Sequence, residues 1–239
     1  MPEFSEDLIA TRRPTPERPL LGQTVLVVED SRFACEAMRL LCLRSGARIR
    51  RADSLRAAAR HLAVYRPSVV VIDLGLPDGS GLSLIRDLAR AQPRVPVILA
   101  TSGDPALRAQ ALSAGAHDFI AKPLTTIAVF QAAILAHLPP DERPSGPRPV
   151  ATGKVLPDAI ALRDDLAHAA ELPAGAPDAA TVDYALQFLG GLAVSAGDAA
   201  LEDAARDVSR CRASGARADA ATERLTGLIG ARLSLAEVV

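Results

Sequence analysis

The chain has 239 residues, a formal net charge of −1, 49% apolar residues, 3% aromatics and no Trp. That length holds one large domain or two small ones, the near-neutral charge excludes a globally basic nucleic-acid binder, and the scarcity of aromatics argues against platforms that stack bases or sugars. The three cysteines, Cys35, Cys42 and Cys211, fall in no zinc or redox spacing, and no apolar run reaches membrane-spanning length, so a reduced cytoplasmic setting without a membrane partner is expected.

Residues 1–21 carry Pro2, Pro14, Pro16 and Pro19 among charges and read as a flexible leader. Thr24 to Val28 is a short apolar strand, closed by Glu29-Asp30-Ser31, which open a helix to about Ser45 with Gly46 at its C′ position. Ala34, Met38, Leu41 and Leu40 are its expected inner face. Ala47 to Arg51 is a weak strand, and Asp53 or Ser54 caps a second helix that ends before Pro67. The run SVVVID, Ser68 to Asp73, is a strand buried on both faces, as in a parallel sheet. A Pro/Gly turn leads to a third helix over about 82–91. VPVILA is a fourth strand ending at Thr101, Asp104-Pro105 starts a fourth helix closed by Gly115, and HDFIAKP is a fifth strand running into Lys122-Pro123. Leu124 to Leu138 is the fifth helix. Five strands alternating with five helices call for an α/β fold with a parallel sheet covered on both faces.

Residues 139–150 hold a Pro-rich, stiff and extended linker. Beyond it, residues 151–239 show no strand candidates and four helical segments at about 157–171, 178–195, 198–213 and 217–236, with Asp158, Asp178 and Asp198 at cap positions. Apolar spacing puts Val182, Leu186, Leu189 and Ala193 on one inner face, Leu201, Ala204, Val208 and Cys211 on the next, and Leu225, Leu228, Ile229 and Leu233 on the last. This reads as a small all-α domain of the bundle type. It holds eight Lys/Arg and thirteen Asp/Glu, an acidic balance that argues against a DNA-reading role.

A parallel sheet gathers Glu29, Asp30, Asp73, Thr101 and Lys122 at the carboxyl ends of its strands. Three crowded carboxylates repel one another, and Mg²⁺, a hard cation that tolerates retained waters, relieves that repulsion. Lys122 offers a compact positive charge and Thr101 a hydroxyl donor, which suits a phosphoryl group carried on Asp73.

The motifs VVED, VVVIDLGLPDGSGL, VILATSG and AGAHDFIAKPL together resemble the receiver domain of two-component response regulators, the CheY-like family, over about residues 23–138. The resemblance implies a flavodoxin-like, doubly wound five-stranded sheet of order 2-1-3-4-5 for residues 22–138. It implies that Asp73 takes a phosphoryl group from the phosphohistidine of a sensor histidine kinase or phosphotransfer protein. Mg²⁺ would be held by Asp30, Asp73 and the backbone carbonyl of Gly75, with Glu29 acting partly through water, and no further cofactor is implied. It also implies a switch in which Thr101 bonds the phosphoryl oxygen and Phe119 turns inward, and a cis bond before Pro123. Gly75 and Gly103 depart from the pattern, because similar receivers carry side chains there that position or obstruct the hydrolytic water. Phe119 stands where tyrosine is more usual.

The resulting expectation is a cytoplasmic, bacterial response regulator whose helical domain, residues 151–239, binds protein, most simply itself as a homodimer. Two alternatives are a DNA-binding transcriptional regulator with a cryptic helix-turn-helix and a phosphate sink or phosphotransfer relay. His168 lacks the lysine and glycine that follow the histidine of phosphotransfer modules and is expected to be an ordinary surface histidine.

Overall fold

The computed structural model describes residues 13–147, 149, 152–172 and 178–235. Residues 1–12 of the expected leader lie outside it. Seven strands and nine α-helices are found among the described residues: β1 (Thr24–Val28), α1 (Arg32–Ser45), β2 (Arg48–Ala52), α2 (Leu55–Val64), β3 (Val69–Asp73), β4 (Gly75–Leu76), β5 (Gly79–Ser80), α3 (Gly81–Arg90), β6 (Val97–Ser102), α4 (Arg108–Ala114), β7 (Asp118–Ala121), α5 (Ile127–Leu135), α6 (Ala159–Glu171), α7 (Ala179–Ala196), α8 (Ala199–Ser214) and α9 (Asp219–Leu235).

Five strands form a parallel sheet in the order β2-β1-β3-β6-β7, while β4 and β5 make a separate two-residue antiparallel ribbon after Asp73. This is the flavodoxin-like order. β3 and β6 are buried along their whole length, which is why both read as continuous apolar runs rather than alternating ones. Val25, Val27, Val69, Val71, Val97 and Leu99 point to the layer of α1 and α5, and Leu26, Val28, Val70, Ile72, Ile98 and Ala100 to the layer of α2, α3 and α4. The period of two along each strand splits the core between the two faces.

Local chemistry sets the helix ends. Ser31 Oγ accepts from Ala34 N–H, Ser54 Oγ from Ala57 N–H, and Gly46 takes the left-handed conformation at the end of α1 with φ 85°. Asp78 reaches back from the β4–β5 turn to accept from Leu55 and Arg56 N–H at 2.8 and 2.9 Å, tying that turn to the start of α2.

Three expectations need correction. The leader is not detached throughout, since Leu20 is fully buried in the α1/α5 layer and its N–H donates to Ser45 O. The fifth helix is shorter than its apolar pattern suggests. After the cis Lys122–Pro123 bond the chain stays extended, and residues 153–155 bond alongside it, with Val155 N–H donating to Thr125 O and Ile127 N–H to Gly153 O. Val155 is fully buried in the α1/α5 layer, so the chain returns to the sheet domain after the Pro-rich segment and leaves it only after Val155. A third difference is at Asp104-Pro105, which caps a single 3₁₀ turn before α4.

Helices α6 to α9 close into a ring in which each packs on its neighbours and α6 meets α9. Asp158, Asp178 and Asp198 cap α6, α7 and α8 by accepting from Ile160, Thr181 and Leu201 N–H. The bundle core holds Leu166, Leu186, Leu189, Leu192, Ala193, Leu201, Ala204, Val208, Leu225 and Ile229. It also holds Phe33 of α1, a residue from the sheet domain. The bundle therefore packs against the sheet domain, at the edge where the strands end.

Candidate functional site

β1, β3, β6 and β7 end together. Asp73 and Thr101 are register partners across β3 and β6, Lys122 N–H donates to Ser102 O at 2.9 Å, and Glu29 N–H donates to Ala52 O at 2.9 Å. This brings together the side chains that the sequence singles out. Lys122 Nζ lies 3.0 Å from Asp73 Oδ2 and 2.8 Å from Glu29 Oε2. Glu29, Asp30 and Asp73 each offer a carboxylate oxygen within 4.8 Å of the others.

The electrostatics follow from burial. Glu29 is 2% exposed, and desolvation pushes its pKa well above the usual carboxylate range despite the attraction of Lys122. Asp30 is raised to about 6, chiefly by desolvation and also by the neighbouring Asp73 charge. Burial alone would lower Lys122, but the carboxylates of Asp73 and Glu29 outweigh it and hold the ammonium firmly protonated. The trio carries more negative charge than one lysine balances, in a place where water screens poorly. A hard divalent cation with oxygen ligands fits that donor set.

Thr101 is fully buried, and among the described residues its Oγ1 has no hydrogen-bond partner. An unpaired buried hydroxyl costs free energy, and this one stands on the register partner of Asp73. A phosphoryl oxygen on Asp73 would give it an acceptor. Phe119 is buried at 4% exposure in the layer of α2, α3 and α4, so its ring already packs inward. Gly75 heads the β4–β5 ribbon, and His168 is exposed, edge-on to Phe188 at 5.8 Å between ring centroids.

Sequence reasoning missed four residues at this edge. Tyr184 of α7 donates its hydroxyl to Asp30 Oδ2 at 2.6 Å. Asp165 of α6, 3% exposed, accepts from Ser31 Oγ, Arg32 N–H and Phe33 N–H at 2.8, 3.0 and 3.0 Å, serving the free N–H groups at the start of α1. Gln187 of α7 faces Gly75, where a built Cβ would run into its carboxamide. Phe33 inserts into the bundle. The one available signal was Asp165 itself, an acid set among Leu162, Leu166 and Ala169 on the inner side of a helix. A cavity of about 700 Å³ lies between the two parts, lined by Glu29, Asp30, Asp73, Lys122, Gln187 and Gly191 among others.

Residues 25–134 match the response regulator receiver domain. Over 100 residues the chain is 38% identical to the KDP operon transcriptional regulatory protein KdpE of Escherichia coli (strain K12), covering 41% of this chain and 44% of that one. It is 35% identical over 100 residues to the virulence transcriptional regulatory protein PhoP of Salmonella typhimurium (strain 14028s / SGSC 2262), covering 41% and 45%. The match thus spans less than half the length of these curated relatives. Among solved structures, the chain is similar to a Burkholderia pseudomallei response regulator with a phosphorylated aspartic acid, at 32% identity and TM-score 0.42, covering 47% and 66% of the two chains. It is also similar to the receiver domain of the sensor histidine kinase PA1611 of Pseudomonas aeruginosa PAO1, at 26% identity and TM-score 0.43, covering 48% and 96%. Residues 25–134 thus carry the match to a response regulator receiver domain, and that match ends before the helical residues that follow.

Proposed function

We propose that this protein is a response regulator whose Asp73 accepts a phosphoryl group from a sensor histidine kinase or phosphotransfer protein and whose helical domain carries the consequence to a protein partner. The observation that carries this reading is the contact of Lys122 Nζ with Asp73 Oδ2 beside a buried, partnerless Thr101 Oγ1. The donor set fits Mg²⁺, which Glu29, Asp30, Asp73 and the Gly75 carbonyl would hold. When bound, Mg²⁺ supplies charge neutralisation for the transferring group.

A carboxylate oxygen of Asp73 attacks phosphorus in line; the new P–O bond forms as the P–N bond of the donor phosphohistidine breaks, and the imidazole leaves. Lys122 keeps its ammonium against the acquired negative charge, and Thr101 Oγ1 donates to a phosphoryl oxygen. No helix among the described residues is long and apolar enough to cross a membrane, in keeping with a cytoplasmic setting.

The direct test is incubation of the full chain with phosphoramidate and Mg²⁺, read by intact mass. One phosphoryl group should be gained, EDTA should prevent it, and Asp73→Asn should abolish it with the circular dichroism spectrum unchanged. Stoichiometric labelling of the variant would name another acceptor.

A second reading takes the helical domain as a DNA-binding output, because both curated relatives are named transcriptional regulatory proteins. The comparisons therefore do not support the expectation of a protein rather than a nucleic-acid partner. The acidic balance of residues 151–239 favours a protein partner or a homodimer. Tight, steeply salt-dependent mobility shifts with genomic fragments would reverse that choice.

A further inference from the structure

We infer that the α6–α7 face of the helical bundle is a receiver-binding surface whose occupant in this chain is the chain's own phosphoacceptor edge, and that cation and phosphoryl binding at that edge compete with it. The inference rests on the reading of Asp73 and its acidic neighbours given above. Three independent sets of contacts support it.

The first is direct. Tyr184 Oη donates to Asp30 Oδ2 at 2.6 Å, so one oxygen of the candidate cation-binding trio is already engaged by the bundle. A cation drawing on Asp30 weakens that oxygen as an acceptor, and the tyrosine hydroxyl in turn weakens it as a ligand. Both draw on the charge of one carboxylate, so each weakens the other.

The second is steric. Both glycines that depart from the receiver pattern face α7. A Cβ at Gly75 would run into the Gln187 carboxamide, and one at Gly103 would sit in ordinary contact 3.5 Å from Gly191 Cα, so α7 stands next to both positions. Asp73, 7% exposed, lines the cavity that α7 helps to wall.

The third lies away from the chemistry. Asp165 takes three hydrogen bonds from Ser31, Arg32 and Phe33, Arg32 pairs with Asp164 at 2.7 Å, and Phe33 fills the bundle core. These groups grip the first turn of α1, directly after Glu29-Asp30. The contact combines these polar grips with one apolar anchor and joins a part of net charge +4 to one of −5, so charge attraction contributes to the docking.

The test uses the full chain in three forms, natural, Tyr184→Phe and Asp165→Asn, with Mg²⁺ affinity measured by titration calorimetry. Each substitution removes one grip while sparing Glu29, Asp30 and Asp73. Both should tighten Mg²⁺ binding by roughly tenfold, the scale of one lost hydrogen bond to a charged group. In the natural chain, Mg²⁺ with beryllofluoride should speed hydrogen exchange of the Arg32 and Phe33 amides by a similar factor. Equal affinities in all three forms with unchanged exchange would overturn the inference, as would tightening in Tyr184→Phe alone, which would reduce the contact to one local hydrogen bond. Absence of Mg²⁺ binding in every form would instead remove the cation reading of the trio, and this inference with it.

Discussion

Lys122 Nζ sits between Asp73 and Glu29, 3.0 Å from one carboxylate and 2.8 Å from the other, with both its own side chain and that of Glu29 almost wholly out of water. The strand ends supply this geometry, because β3 and β7 flank β6 in the sheet, β3 ending at Asp73 and β7 one residue before Lys122.

Lys122→Ala should destabilise the receiver by about 3 kcal/mol at pH 7.5, since it leaves Glu29 and Asp73 as buried like charges without a counter-ion. Urea denaturation monitored by circular dichroism measures the loss. Glu29 already holds its proton more tightly than an ordinary carboxyl, so the penalty should shrink as pH falls and that group is neutralised. Mg²⁺ should restore part of the stability at pH 7.5. A variant as stable as the natural chain would mean that the lysine does not offset the acids.

Thr101→Val should leave the stability of the unphosphorylated chain unchanged or raise it by up to about 1 kcal/mol, because the buried hydroxyl it removes has no described partner. The same variant should gain less thermal stability than the natural chain on adding beryllofluoride with Mg²⁺. Equal gains, read by differential scanning calorimetry, would show that Thr101 takes no part in holding the phosphoryl group.

Phe33→Ala should cost about 3 kcal/mol, as for other large-to-small changes in a packed interior, and the loss should fall on the bundle rather than the sheet. Native-state hydrogen exchange resolves the two. Amides of α6 and α7 should exchange faster, while those of β3 and β6 keep their protection. Equal acceleration of both would mean that the two parts unfold as one unit.

His117 adds a pH dependence. Its Nδ1 accepts from Ile98 N–H at 2.9 Å, which requires that nitrogen to be unprotonated. Burial, with Arg94 and His137 nearby, lowers its pKa below the ordinary 6.5. For a group depressed in the folded state, the stabilisation is present above the unfolded pKa and is lost as pH falls through the folded one. The melting temperature should therefore drop between about pH 7 and pH 5, and His117→Asn should flatten that slope. An unchanged slope would assign the acid sensitivity to other groups.

Much of the receiver was readable from residues alone. SVVVID and VPVILA are runs too uniformly apolar for a sheet wetted on one face, and the caps at Ser31, Ser54, Gly46 and Gly115 fixed helix ends through local chemistry. Once the strands are parallel, Glu29, Asp30, Asp73, Thr101 and Lys122 must share one edge, because each follows or ends a strand pointing the same way. The caps Asp158, Asp178 and Asp198 likewise fixed three helix starts in the bundle.

What the tertiary structure alone decided is where that bundle goes. Helical periodicity tells which face of α7 is apolar, but it carries no information about which partner a polar residue such as Tyr184 meets 154 residues away in the chain. Asp165 stands out in the sequence only as an acid on an inner helix face, and its partners became visible once the N-terminus of α1 was placed beside it. Gly75 and Gly103 read as gaps in a pattern until α7 was seen to fill the space. Val155 fell among the residues assigned to the helical domain until its backbone bonded to Thr125. Strands, caps and the acidic edge follow from interactions between near neighbours and from the fixed direction of parallel strands. The docking of one domain on another depends on contacts between residues far apart in the chain, which local sequence patterns do not record.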